Sequence, residues 1–280
     1  MKKIVFLDVD GTLCDDQGRV PDGARAAIQK AKANGHRLFL CTGRPKAEIT
    51  EEIASLHLVG MIGGGGTYCE VGDRVIFNQV FNRDELLELI EFLKQRKIEF
   101  YMGSSETTYC SKYLKQRVTE LIHRNAGEQA QAILTDIQWF LGMMNEAESQ
   151  FDYTSINRLC FINHDVPYQD IEDAFGQRFH IIHSTSPFFG ANSGEIGLKG
   201  VRKQTAIEHL LQYLNVDKAQ AIALGDGHND LDMFAAVGTG IAMGNACEEL
   251  LAVADHVTTK NTENGLANAF EKLGLLSFSS

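Results

Sequence analysis

The chain has 280 residues, a formal net charge of −11, and 44% hydrophobic against 22% charged residues. That suits one large or two ordinary soluble domains, and the acidic balance argues against a nucleic-acid or anionic-membrane partner, both of which need a basic surface. Cysteines 14, 41, 69, 110, 160 and 247 form no Cys-x-x-Cys pair and no zinc spacing, which points to reduced, mostly buried thiols and a cytoplasmic location.

Ile4 to Leu7 is a short unbroken apolar run, the mark of a fully buried, parallel strand. It stops at Asp8-Val9-Asp10-Gly11, too early for a signal peptide, and no run approaches the ~18 residues of a membrane span. The glycine is at the fourth position, where a calcium loop would need it at the sixth. Pro21 to Asn34 reads as a helix closed by Gly35. Strand Leu38 to Cys41 runs into Thr42-Gly43-Arg44, and Pro45 opens a helix expected to reach Leu56. Met61-Ile62 is a third short strand, entering Gly63 to Gly66; these glycines match neither G-x-x-x-x-G-K-[ST] nor G-x-G-x-x-G. Thr67 to Val71 and Arg74 to Val80 read as a β-hairpin around Gly72-Asp73.

At Asn82 the pattern changes. Asn82 or Asp84 can cap a helix carrying Leu86, Leu89, Ile90 and Leu93 at helical spacing. Strand-like pieces follow at Ile98 to Met102, Arg158 to Asn163 and Phe179 to Ser184, with helical patterns at Tyr113 to Asn125 and Tyr168 to Phe175. None of these strands ends in site-like residues, so 83–187 reads as an inserted α+β cap domain, with Pro187 at the return crossing. The core is expected to be residues 1–82 and 188–280, resuming with strand Gly194 to Leu198. A helix from Val201 to Leu214 has Lys203 in its first turn, where helix dipole and lysine charge both favour phosphate; Lys199 competes for that role. Strand 221–224, helix 230–236, strand 240–243 and a helix near 264–273 complete an alternation that predicts an α/β, Rossmann-like, doubly wound parallel sheet.

Strands joined by helices end on one side of such a sheet, where ligands bind. Three loops therefore converge, bringing Asp8, Asp10, Asp226 and Asp230 together with Thr42, Arg44 and Asn229. Hard oxygen donors of this kind suit magnesium, which keeps positions for water and a substrate phosphate.

The motifs DVDGT at Asp8, TGR at Thr42, GVRK ending at Lys203 and GDGHND at Gly225, with GIAMGNA, ADHVT and NTENGLANAF beyond, resemble the Cof-type branch of the haloacid dehalogenase superfamily (subfamily IIB phosphatases). That branch usually carries Asn-Gly after the third strand, where this chain has four glycines. The resemblance covers the two ends of the chain well and the middle hardly at all. It implies a magnesium-dependent phosphatase acting on a small phosphorylated metabolite, such as a sugar phosphate, through an aspartyl-phosphate. Asp8 would be the nucleophile and Asp10 the general acid, then base. Magnesium would be held by the Asp8 and Asp226 carboxylates and the Asp10 main-chain carbonyl, with Asp230 bracing its shell. Thr42, Gly43, Lys203 and Asn229 would hold the phosphoryl oxygens, Thr12 would brace the Asp10 loop, and Arg44 would bind phosphate or pair with an acid. A phosphomutase is the nearest rival, and a ligand-binding protein on an inactive fold the rival from another class. The expected partner is a small phosphate ester bound by a monomer or small homo-oligomer.

Overall fold

The computed structural model describes residues 2–15, 17–184 and 189–277, which form two compact units. The first comprises residues 1–44, 49–78 and 201–280, the second 45–48 and 79–200.

Among the described residues the first unit holds an eight-stranded sheet. Its order is His256–Val257, Thr239–Ala242, Ala221–Gly225, Ile4–Leu7, Arg37–Cys41, Gly60–Gly63, Tyr68–Val71, Arg74–Asn78. The first six strands are parallel, and the last two form the expected antiparallel hairpin. Alternate side chains of each strand enter opposite layers. Val5, Leu7, Leu38, Leu40 and Leu224 pack against the helices Asp22–Ala33 and Gly265–Lys272. Ile4, Phe6, Phe39, Cys41 and Ala223 pack against Lys203–Tyr213 and Leu231–Ala235. Both faces are covered, so these strands read as continuous apolar runs. Each large side chain buried this way contributes about 1.5–3 kcal/mol.

The second unit is a five-stranded, wholly antiparallel sheet in the order Thr108–Cys110, Glu99–Gly103, Arg158–Ile162, Gly194–Leu198, Phe179–His183. Phe100, Met102, Leu159, Phe161 and Ile196 face the helices Arg83–Gln95 and Tyr168–Phe175. Cys110 and Ile162 face Leu114–Ala126 and the short helix Ala130–Asp136 on the other side. Asn82 caps its helix as expected, its side chain accepting from the Asp84 and Glu85 amides.

Two expectations are corrected. Gly194–Leu198 does not resume the core: it pairs with Arg158–Ile162 and Phe179–His183, and the chain returns to the first unit at Val201 instead of 188. Its alternation of Gly, Glu, Ile, Gly, Leu is that of a half-buried antiparallel strand, unlike the solid apolar runs of the parallel sheet. Pro187, expected at the crossing, lies outside the described residues. The helix expected from Pro45 to Leu56 is broken into a 3-10 turn at Lys46–Glu48 and one α-turn at Glu51–Ala54, because Thr50 is extended (φ −67°, ψ 157°). No helix among the described residues is long and apolar enough to cross a membrane.

Candidate active site

Strand Ile4–Leu7 delivers Asp8 to the edge of the parallel sheet, where its amide donates to the Leu224 carbonyl at 3.1 Å. Asp8 is 5% exposed, whereas the Asp10 side chain, past the turn, is 63% exposed. Gly11 makes that turn possible: its φ is +80°, and a Cβ there would lie 2.2 Å from the Asp226 Oδ2. Thr12 then donates its hydroxyl to Asp226 Oδ1 at 2.7 Å, fastening the first loop to the one that follows Ala221–Gly225. The expected bracing by Thr12 thus runs to Asp226.

Lys203, at the start of its helix, is 2% exposed. Its Nζ donates to Asp8 Oδ1 at 2.6 Å and to Asp230 Oδ1 at 2.7 Å. Burial alone would lower the lysine pKa, but Asp230 and Asp8 reverse this and hold the ammonium charged well above its usual range. Lys199, the competing lysine, is exposed in the second unit and donates to the Gln177 carbonyl at 2.7 Å.

Asp230 is fully buried, and both its oxygens are engaged. Oδ1 meets Lys203, while Oδ2 accepts from the Asp226 amide at 2.9 Å and the Gly227 amide at 3.0 Å. It therefore shapes the loop that presents Asp226. Oxygens of Asp8, Asp226 and Asp230 all lie within 4.8 Å of one another. Burial, with Asp230 close by, holds the Asp8 carboxyl well above the usual range despite Lys203. Burial also pushes Asp226 up to about 6, against the Thr12 hydrogen bond, with Asp230 adding to the rise. Three crowded carboxylates facing one ammonium leave negative charge uncompensated, so the donor set fits a hard divalent cation.

The second loop is held by its own backbone. Thr42 is buried, accepting from the Arg44 amide on Oγ1 at 3.1 Å and from the Gly65 amide on its carbonyl at 3.1 Å. Gly66 has φ +113°, and a Cβ on it would meet the Arg202 carbonyl at 2.4 Å, so the glycine turn lets the Lys203 helix come close. Of the two roles open to Arg44, the structure shows the pairing: Nε donates to Asp10 Oδ2 at 2.9 Å and Nη2 to Oδ1. Gly43 is half-buried in this loop and Asn229 exposed in the 3-10 turn His228–Asp230.

Asn245 has no role legible in the sequence. It donates to the Gly11 carbonyl at 2.9 Å and accepts from the Asn261 amide at 3.0 Å, tying the Asp10 loop to two later turns. The GIAMGNA segment was the signal, but only the fold shows what its Asn reaches. In the second unit, Lys94, Lys97 and Arg117 share a cavity of about 520 Å³. Lys94 pairs with Glu148, and Arg117 lies 3.7 Å from Glu120.

The sequence matches the haloacid dehalogenase-like hydrolase family over residues 5–270. It is 26% identical to the Bacillus subtilis 5-amino-6-(5-phospho-D-ribitylamino)uracil phosphatase YwtE, covering 97% of this chain and 98% of that one. The Bacillus subtilis phosphatase YwpJ is 21% identical, with 97% and 99% covered. A haloacid dehalogenase-like hydrolase from Bacteroides thetaiotaomicron has the same fold, with a TM-score of 0.81, 20% identity and coverage of 98% and 100%. With a family match running through nearly the whole chain and the DVDGT, TGR, Lys203 and GDGHND segments gathered at one sheet edge, the protein belongs to the haloacid dehalogenase-like hydrolases.

Proposed function

We propose that the protein is a magnesium-dependent phosphatase that hydrolyses a small phosphate monoester through an aspartyl-phosphate on Asp8. The observation that carries this reading is the placement of Lys203 between buried Asp8 and Asp230, with Asp226 beside them and exposed Asp10 two residues on. In the first half-reaction an Asp8 oxygen attacks phosphorus, the bond to the leaving oxygen breaks, and Asp10 gives that oxygen its proton. In the second, Asp10 takes a proton from water, which attacks phosphorus, releases phosphate and restores the Asp8 carboxylate. Asp10 must leave Arg44 to do this, and its exposed side chain has room to turn. Lys203, Thr42, the Gly43 amide and Asn229 would hold the phosphoryl oxygens, with Arg44 able to join them once released. Asp8, Asp226 and the Asp10 carbonyl would hold magnesium, with Asp230 fixing the loop; the ion would neutralise charge on the phosphoryl group.

The substrate we propose is a monophosphate with a neutral, polar body, such as a sugar phosphate. Residues 83–185 hold 16 Asp plus Glu against 10 Lys plus Arg, a poor setting for a polyanion. The relative YwtE is named for a ribityl monophosphate, which is of this class. The test is kcat/KM across hexose and pentose monophosphates, sugar bisphosphates, nucleotides and phosphopeptides. A sugar or polyol monophosphate should lead. A preference of ten-fold or more, about 1.4 kcal/mol, for a bisphosphate or nucleotide would overturn the substrate assignment. Release of inorganic phosphate in step with loss of ester separates a phosphatase from a mutase, which would return an isomeric ester, and from a binding protein, which would do neither.

Magnesium should bind more tightly as pH rises. Burial pushes Asp226 up to about 6 and holds Asp8 up as well, so below that pH the ion must displace at least one proton, and affinity should fall by about ten-fold or more per pH unit. The stability of the metal-free protein should move the other way. A folded carboxyl raised above its unfolded value loses its contribution as pH climbs through 6, and magnesium restores it. Calorimetric titration of the magnesium-stripped protein from pH 5 to 7.5 tests this; an affinity flat across that range would remove Asp226 from the ligand set. Turnover should vanish in excess chelator and return with magnesium.

A further inference from the structure

His228, Cys247 and Glu249 lie outside the phosphatase chemistry, yet each offers a ligand atom, and the three atoms lie within 4.8 Å of one another. His228 Nδ1 is 3.8 Å from Glu249 Oε2. We propose that these residues form a second metal site, for a thiophilic divalent cation of the zinc type, distinct from the carboxylate cluster. In a tetrahedral zinc site with bonds of about 2.0–2.3 Å, ligand atoms stand roughly 3.3–3.8 Å apart, so small side-chain rotations close the triad on an ion. Sulfur, imidazole nitrogen and one carboxylate select zinc or cobalt over magnesium, which demands oxygen. Three protein ligands leave the fourth position for water. The thiol proton is released to solvent when the metal–sulfur bond forms.

The backbone holds these ligands in place without the metal. Cys247 donates its amide to the Asp226 carbonyl at 2.9 Å, which clamps the start of the helix Glu248–Val253 onto the loop carrying His228. That loop is in turn shaped by buried Asp230. The His228 and Glu249 side chains are 67% and 61% exposed, so an ion reaches them from solvent. Of the six cysteines, Cys247 is the one that is not buried.

The test uses the full chain, reduced and saturated with magnesium, titrated with Co2+ and followed by absorption. One equivalent should produce a thiolate-to-cobalt charge-transfer band with tetrahedral ligand-field intensity, and Zn2+ should bleach it. Cys247→Ser should abolish the band. His228→Gln and Glu249→Gln should each weaken cobalt binding by about ten-fold or more, on the scale seen when metal-site partners are removed. No band in the wild type, a band that survives Cys247→Ser, or affinity unchanged in both other variants would overturn the site. Because binding is read without substrate, these outcomes are independent of whether the phosphatase assignment stands.

Discussion

Asp8→Asn should reduce turnover by at least about 10³-fold and abolish any acid-stable or trappable phosphoenzyme, the scale at which coupled catalytic groups fail. The amide matches the carboxylate in shape but cannot attack phosphorus. The fold should survive, because the change removes a charge whose burial is unfavourable and which Asp230 already repels. Asp10→Asn should fail differently. It leaves the nucleophile and removes the proton donor and acceptor, so both half-reactions slow, and an ester with a leaving group that needs no proton should recover much of the phosphorylation rate. Rapid-quench measurement of phosphoenzyme with such an ester and with an alkyl ester checks both variants. Near-normal turnover by Asp8→Asn would show that the nucleophile lies elsewhere.

Lys203→Ala should be the most damaging single change to activity and stability together. The side chain is 2% exposed and answers two buried carboxylates, so its removal leaves Asp8 and Asp230 facing each other unpaired. Breaking a buried pair in this way costs about 3–5 kcal/mol. The deficit should shrink as pH falls. Without the ammonium, a carboxyl titrates at still higher pH in the folded state, so protonation favours the fold at low pH and the loss grows as pH rises. Lys199→Ala should stay within about 0.5 kcal/mol and keep its activity, since its exposed ammonium meets only main-chain carbonyls. Denaturant melts at pH 5 and pH 8, with turnover assays alongside, test the ranking; a Lys199→Ala loss exceeding that of Lys203→Ala would displace Lys203 from the site.

The parallel sheet and the polar ends of its strands are legible in the order of residues alone. Ile4 to Leu7, Leu38 to Cys41 and Ala221 to Leu224 are apolar without interruption because helices cover both faces of the sheet, and a pattern set by burial on both sides is legible locally. Asp8, Thr42 and Asp226 follow those runs directly, so their convergence could be argued from strand direction alone. The remaining features depend on contacts between distant segments of the folded chain. The tertiary structure gave Gly194–Leu198 to the antiparallel sheet, a choice made by partners 33 or more residues upstream at Arg158–Ile162 and by Ile196 packing into that unit's core. It paired Arg44 with Asp10, turned Asp230 into the clamp of its own loop, and set Asn245 against Gly11, 234 residues away. It also gathered His228, Cys247 and Glu249, whose spacing matches no metal motif. Hydrogen bonds and ligand sets of this kind depend on side-chain direction across loops that meet only after folding, and no local periodicity encodes them.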